Sequence, residues 1–296
     1  MEDTVKNKLS EYVALTEKAL SKYSLKGKLG LQSTVADAMD YSLEAGGKRI
    51  RPVLVMEFCR LCGGKVENAL APAAALEMIH TFSLIHDDLP CMDDDDMRRG
   101  KPSCHKQFGE ACAVLAGDAL AIRPFQVIAD DDKLSADKKV KLISELACSS
   151  GPEGMIGGQI IDMENEERDT VDEANLREMY ALKTGKLIKT ACIMGCIAAG
   201  ADEKQTKAAE EYAHCLGLAF QIIDDILDVT ADEAKLGKPT GSDAEENKTT
   251  FVTLFGIDGA KAEAKALTEK ALKILDSFED SGFLKGLTEF LLVRDY

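Results

Sequence analysis

Two groups of aspartates carry the most chemistry in this sequence. Asp87-Asp88-Leu89-Pro90-Cys91-Met92-Asp93, continuing through Asp96, ends one apolar stretch; Asp224-Asp225-Ile226-Leu227-Asp228 lies on another. Carboxylate oxygens are hard ligands that suit Mg²⁺. Gathered at the inner end of an apolar helix, carboxylates are costly unless metal or cations compensate them. Asp224 and Asp228 are four apart and share a helical face, and Gln221, three before Asp224, shares it too. A calcium loop of the EF-hand kind fails: counted from Asp93, Arg98 and Cys104 stand where Gly and Glu are required. Asp130-Asp131-Asp132 reads as a solvated loop.

Basic groups alternate with the acidic ones. They are Gly46-Gly47-Lys48-Arg49-Ile50-Arg51-Pro52, Arg98-Arg99-Gly100-Lys101, Lys183-Thr184-Gly185-Lys186, and Lys238 in the loop after the second cluster. Lys48 and Arg51, three apart, face one way if they open a helix. A solvated Lys or Arg is the default reading of each group alone. Together, in a chain of net charge −16, they suit a doubly anionic ligand held by metal on one side and by Arg and Lys on the other. Diphosphate is the natural candidate. His80 lies two turns before Asp87, about 10 Å along a continuous helix; on the residues alone it reads as a satisfied core histidine.

The elements that must position these groups are helical. Val5 to Lys22, Ala69 to Asp88, Leu142 to Cys148, Asp172 to Lys189, Ala208 to Asp228 and Lys261 to Phe278 have helical periodicity. Leu89 precedes a proline, so the first of the aspartate-bearing helices should stop near Asp88. Thr170 and Glu173 have the spacing of a capping box. No alternating strand pattern flanked by hairpin turns appears, and no repeat or low-complexity linker divides the chain. The expectation is a single all-α domain over residues 1–296.

Composition excludes several classes. The acidic balance argues against nucleic acid and against an anionic membrane surface. The first twenty residues lack the apolar core of a signal peptide, and Thr190 to Ala201 is too short to span a bilayer. Nine cysteines show no disulfide framework, and the Cys59–Cys62 pair lacks the partners of a zinc site. Reduced thiols in a cytosolic compartment are expected.

The motifs, in this order, resemble those of the trans-prenyl diphosphate synthases. The first aspartate motif takes the longer form, Asp-Asp-x4-Asp, followed by Arg-Arg-Gly. Gly-Gly-Lys-Arg-Ile-Arg-Pro, Gly154-Met155-Ile156-Gly157-Gly158-Gln159, Lys183-Thr184-Gly185-Lys186 and Gln221-Ile222-Ile223-Asp224-Asp225 also match. The likeness runs from about residue 27 to the C-terminus and is similar in detail to bacterial farnesyl and plant-type geranylgeranyl synthases. Lys248-Thr249-Thr250-Phe251 departs from it, with Phe where relatives often have Tyr.

The resemblance implies a bundle of long helices around a deep central cavity, the type I isoprenoid synthase fold, usually as a homodimer. It implies Mg²⁺-dependent head-to-tail condensation of isopentenyl diphosphate with dimethylallyl or geranyl diphosphate. Asp87, Asp93 and Asp224 would bind three Mg²⁺ ions, supported by Asp88, Asp225 and Asp228. Arg98, Lys183 and Lys238 would hold the allylic diphosphate, with Thr184 and Gln221 nearby. Lys48, Arg51, His80 and Arg99 would form the isopentenyl diphosphate site, a role that displaces the core reading of His80. Phe82 and Ser83, five and four before Asp87, would set product length. A bulky aromatic at the fifth position favours farnesyl diphosphate; geranylgeranyl diphosphate is the alternative. A class I terpene cyclase would not need the second diphosphate site, and non-catalytic partner subunits typically lack intact aspartate motifs.

Overall fold

The computed structural model describes residues 3–168, 170–230 and 248–292. Thirteen α-helices of these residues pack around a continuous hydrophobic core. They are α1 (Asp3–Tyr23), α2 (Ser33–Leu43), α3 (Ile50–Leu61), α4 (Leu70–Asp87), α5 (Cys104–Phe108), α6 (Glu110–Ala129) and α7 (Ala136–Ser150). Then follow α8 (Met155–Glu166), α9 (Glu173–Tyr180), α10 (Lys186–Ala199), α11 (Glu203–Thr230), α12 (Phe251–Ile274) and α13 (Gly282–Leu292).

Helices α3 and α4 are among the most deeply buried. In α4 the positions that escape full burial include His80, Ser83, Leu84 and Asp87. Their spacing of three and four residues puts them on one helical face, so the helix is greasy all round except for one polar stripe. It packs chiefly against α6, while α3 packs on α10 and α11 on α12. Helix α6 is long and apolar enough to cross a membrane by length and composition. In this fold it packs against α4 and α2 and carries Asp118 and Arg123. The apolar run Thr190 to Ala201 falls mostly within α10.

Buried charge is paired where it joins helices. Arg49 donates to Glu77 of α4 at 2.7 Å, to Glu17 of α1 at 2.7 Å, and to the Leu43 carbonyl. Glu57, fully buried on α3, accepts from Tyr12 at 2.8 Å and from two nitrogens of Arg60. Removing one partner of such a pair leaves an uncompensated charge, so these contacts enforce helix register even where their net stabilisation is small.

Four local features differ from the sequence expectations. First, a small antiparallel hairpin exists: Met97–Arg98 (β1) pairs with Lys101–Pro102 (β2). Its two turn residues, Arg99 and Gly100, both have positive φ, 52° and 76°. That is the turn hand which matches strand twist, but Arg-Gly is a weaker signal for it than Asn-Gly. Second, the stretch read as one helix from Asp172 to Lys189 widens into a π-turn at Ala181–Gly185. Third, α9 is capped by Asp172, whose side chain accepts from the Asn175 N–H at 2.9 Å, and Thr170 lies outside the cap. Asp172 lies beside the first helical turn, whereas Thr170 is two residues too early to reach its N–H groups. Likewise Asp131 is not solvated: it is buried and accepts from the Lys133 N–H at 2.9 Å.

The π-turn is seated by a glycine. A Cβ on Gly158 of α8 would lie 2.2 Å from the Lys183 backbone nitrogen, so only glycine lets α8 approach that turn. Gly158→Ala should therefore cost about 1–3 kcal/mol, as overpacking of a tight interior does. Denaturant unfolding with an unchanged midpoint would contradict this.

Candidate active site

Helix α4 ends at Asp87, with Asp88 as its C-cap, as the following Leu-Pro pair requires. The chain then folds back: the Asp93 N–H donates to the Asp87 carbonyl at 2.9 Å, and the Asp94 N–H to the Leu89 carbonyl at 3.2 Å. The first cluster thereby becomes a compact acidic knot at the end of an apolar helix. Burial, aided by Asp93 and Asp88 and opposed by Lys183 and Arg98, pushes the Asp87 carboxyl up to about 6. Lys183 comes from the π-turn, so two distant basic and acidic motifs face one another here.

Arg98 is committed to the same knot. Its Nε donates to Asp88 Oδ1 at 2.7 Å and its Nη2 to Asp95 at 2.7 Å, with a second contact to Asp88. Asp88, 2% exposed, is thus an arginine-bound carboxylate rather than an open one.

The second cluster lies on α11. Gln221, Asp224, Asp225 and Asp228 line a cavity of about 190 Å³ together with Lys183 and Asp162. Lys183 Nζ donates to Asp162 Oδ2 at 2.5 Å. Asp225 Oδ2 accepts from Tyr180 Oη at 2.7 Å and from the Phe251 N–H at 2.9 Å. Phe251, where relatives often have Tyr, is buried, and its ring stacks on Tyr180 with centroids 5.9 Å apart. Thr184 sits half-buried in the π-turn beside Lys183.

A second cavity, about 360 Å³, is lined by Lys48, Arg51, Glu77, His80 and Arg99, with Phe220 and Leu216 on its apolar side. Gly46 and Gly47 have φ of 85° and 122°. A Cβ on Gly47 would lie 2.7 Å from the Arg99 guanidinium, so glycine there lets Arg99 fold over the loop and donate to the Gly46 carbonyl. Arg51 Nη1 lies 3.2 Å from His80 Nε2. Burial, then Arg51 and Arg99, push His80 well below the ordinary imidazole range, so neutral His80 accepts and Arg51 donates. Burial and Arg99 also lower Arg51, against Glu77, and Arg51 Nε is buried without a hydrogen-bond partner. Crowded, under-compensated cations are poised for an anion.

The structure brings some of the expected residues together and not others. Lys48, Arg51, His80 and Arg99 share one cavity, and Gln221, Asp224, Asp225 and Asp228 share another with Lys183. Lys238 lies outside the described residues. Asp87, Asp93 and Asp224 do not bring one oxygen each within 4.8 Å of one another; among the described residues only Asp94, Asp96 and His105 form such a trio. Phe82 is 8% exposed and packs edge-on against His86, with centroids 5.1 Å apart. Ser83 Oγ donates to the His80 carbonyl at 2.9 Å. Sequence reasoning overlooked Asp162, which shares a helical face with Gln159 three residues earlier, and Lys248, which lines the α11 cavity. It also overlooked Tyr180, which carries no charge to announce it.

The residues fit a hard divalent ion: Asp87 is kept from water among like charges, and the α11 cavity is rich in carboxylates. Without metal, Asp87 binds a proton more tightly folded than unfolded, so it lowers stability as pH rises from the ordinary carboxylate value, 3.8, through about 6. Metal-free Asp87→Asn should lose that pH dependence and be more stable at neutral pH by on the order of 1–3 kcal/mol. Thermal melts in EDTA between pH 4 and 7 test this; equal stability of both proteins at pH 7 would contradict it.

Comparison with known proteins agrees with this geometry. The polyprenyl synthetase family model matches residues 32–289. The chain is 45% identical over 298 residues to farnesyl diphosphate synthase of Geobacillus stearothermophilus, covering 99% of each chain. It is 44% identical to geranylgeranyl diphosphate synthase of Cyanophora paradoxa, covering 90% of this chain and 89% of the relative. An apo crystal structure of an FPP/GFPP synthase from Zymomonas mobilis superposes with a TM-score of 0.90 at 33% identity, covering 98% of this chain and 100% of that one. With both aspartate clusters and both cavities in place, this chain belongs to the polyprenyl synthetase family, the Mg²⁺-dependent, all-helical prenyltransferases that condense isopentenyl diphosphate with allylic diphosphates.

Proposed function

We propose that this chain extends dimethylallyl and geranyl diphosphate with isopentenyl diphosphate and stops at farnesyl diphosphate. The observation that carries the reading is Lys183: bonded to Asp162 and within charge range of Asp87, it joins the two aspartate walls, while a separate cationic cavity lies alongside. One diphosphate between the walls and another in the second cavity is what a two-substrate condensation needs. A cyclase needs no second cavity of this kind.

Asp87, Asp93 and Asp224 would hold the Mg²⁺ ions, three in number, with Asp88, Asp225 and Asp228 in support. When bound, the ions supply charge neutralisation for the leaving diphosphate. Lys183, Arg98, Lys238, Thr184 and Gln221 bind the allylic diphosphate and stabilise charge as its C–O bond breaks. Arg98 exchanges part of its pairing with Asp88 for phosphate oxygens. Lys48, Arg51, Arg99 and neutral His80 fix isopentenyl diphosphate, whose double bond attacks the allylic cation. The departed diphosphate takes the proton. The apolar bodies of α4 and α11 exclude water from the cation.

Phe82 limits the tail at fifteen carbons. The identity to a geranylgeranyl synthase favours twenty carbons as the second reading. Val114, Leu115 and Ile122 on α6, 39%, 60% and 70% exposed, form an apolar face suited to a second copy in a homodimer. The chain acts as one domain in the cytosol.

Purified protein with isopentenyl and dimethylallyl diphosphates and Mg²⁺ should release a fifteen-carbon diphosphate, detected by mass spectrometry, and none in EDTA. No condensation from either dimethylallyl or geranyl diphosphate would overturn the activity. Phe82→Ala should lengthen the product to twenty carbons or more; an unchanged product would remove Phe82 from this role.

A further inference from the structure

At the far end of the first aspartate cluster, Asp94 and Asp96 meet His105 of α5, with one ligand atom from each within 4.8 Å of the others. The pair of carboxylates alone would mean little, since both are exposed. His105 is different. It is 5% exposed, and its Nε2 is buried with no hydrogen-bond partner. That atom faces Asp94 Oδ1 at 3.8 Å, too far for a hydrogen bond. The opposite ring nitrogen, Nδ1, lies 3.0 Å from Oγ of buried Ser103.

This arrangement lacks something. In the tautomer that donates Nδ1–H to Ser103 Oγ, Nε2 presents its lone pair to the two carboxylates, which is repulsive unless a cation lies between them. A buried ring nitrogen left unpaired is costly. One imidazole nitrogen and two carboxylate oxygens, with the ring oriented through its far nitrogen, is the donor set and supporting contact of a transition-metal site. Mg²⁺ prefers oxygen ligands throughout. We propose that Asp94, Asp96 and His105 bind one divalent ion of the Zn²⁺ or Co²⁺ kind, distinct from the aspartates assigned to Mg²⁺. Lys106 Nζ, 2.6 Å from Asp96 Oδ1, shares that carboxylate with the ion.

The place of the site gives it a consequence. The Ser103 N–H donates to the Asp96 carbonyl at 2.9 Å, closing the base of the β1–β2 hairpin that carries Arg98 and Arg99. An ion joining Asp94 and Asp96 to α5 ties down that base and steadies both arginines.

The test reads binding, not turnover, so it stands apart from the activity proposed above. The chain has four histidines. With Mg²⁺ in large excess to fill the oxygen-rich sites, Zn²⁺ is titrated into ¹⁵N-labelled protein while imidazole resonances and heat are recorded. One equivalent of Zn²⁺ should bind and shift a single imidazole, identified as His105 by its absence from His105→Gln. Asp94→Asn should weaken binding by at least about tenfold, the low end of what even a supporting group contributes. Asn tolerates the positive φ of residue 94, 49°, so this exposed substitution decides the matter even if His105→Gln fails to fold. Zn²⁺ affinity unchanged by Asp94→Asn, a shift at another histidine, or an unmoved His105 resonance would each overturn the proposal.

Discussion

Carboxylates held partly out of water at the ends of apolar helices must be compensated, and much of the architecture around the site answers that demand. Asp88 is compensated within the protein by Arg98. Asp225 is compensated by a tyrosine hydroxyl and a backbone N–H, and Asp162 by Lys183. Asp87 is left with only distant cations, and its raised carboxyl records the deficit. The opposite deficit exists in the neighbouring cavity. There Arg51 and Arg99 gather around a histidine kept neutral by burial and by their field, with Glu77 already engaged by Arg49. One region wants cations and the other wants an anion, and a metal-bound diphosphate beside a second diphosphate satisfies both.

Helix packing keeps these deficits from collapsing onto each other. Arg49 ties the start of α3 to α1 and α4 at the wall of the cationic cavity, so the α4 stripe of His80, Ser83 and Asp87 keeps its register. The π-turn rotates Lys183 away from where a regular helix would put it, and π-turns are frequent at functional sites for that reason. Gly158 supplies the close approach that seats it. The rigid frame holds charges that would otherwise move to neutralise one another.

The sequence made the charged actors legible because they run against their surroundings: aspartates ending apolar helices, and basic groups in an acidic chain. The spacing of Gln221, Asp224 and Asp228 places them on one helical face, and the Leu-Pro pair marks where α4 stops. What stayed hidden depends on contacts between distant segments. Nothing local reveals that Arg49 pairs with Glu17 and Glu77 while Arg51 meets His80. The Arg99-Gly100 turn was missed because strands of two residues carry no alternation to detect. The π-turn leaves helical periodicity nearly intact, so Ala181–Gly185 reads as ordinary helix. His105 lies eleven residues after Asp94, too far for any spacing rule to join them.

On the proposed reading, the aspartate walls and Lys183 form one diphosphate site that works only with a divalent ion. Calorimetry with geranyl diphosphate, with and without Mg²⁺, tests it most directly. Binding should require Mg²⁺, and Lys183→Met should weaken it by about ten- to a hundredfold, the value of a charge-assisted hydrogen bond. Equal affinity in the presence and absence of Mg²⁺, with no loss in Lys183→Met, would contradict the account.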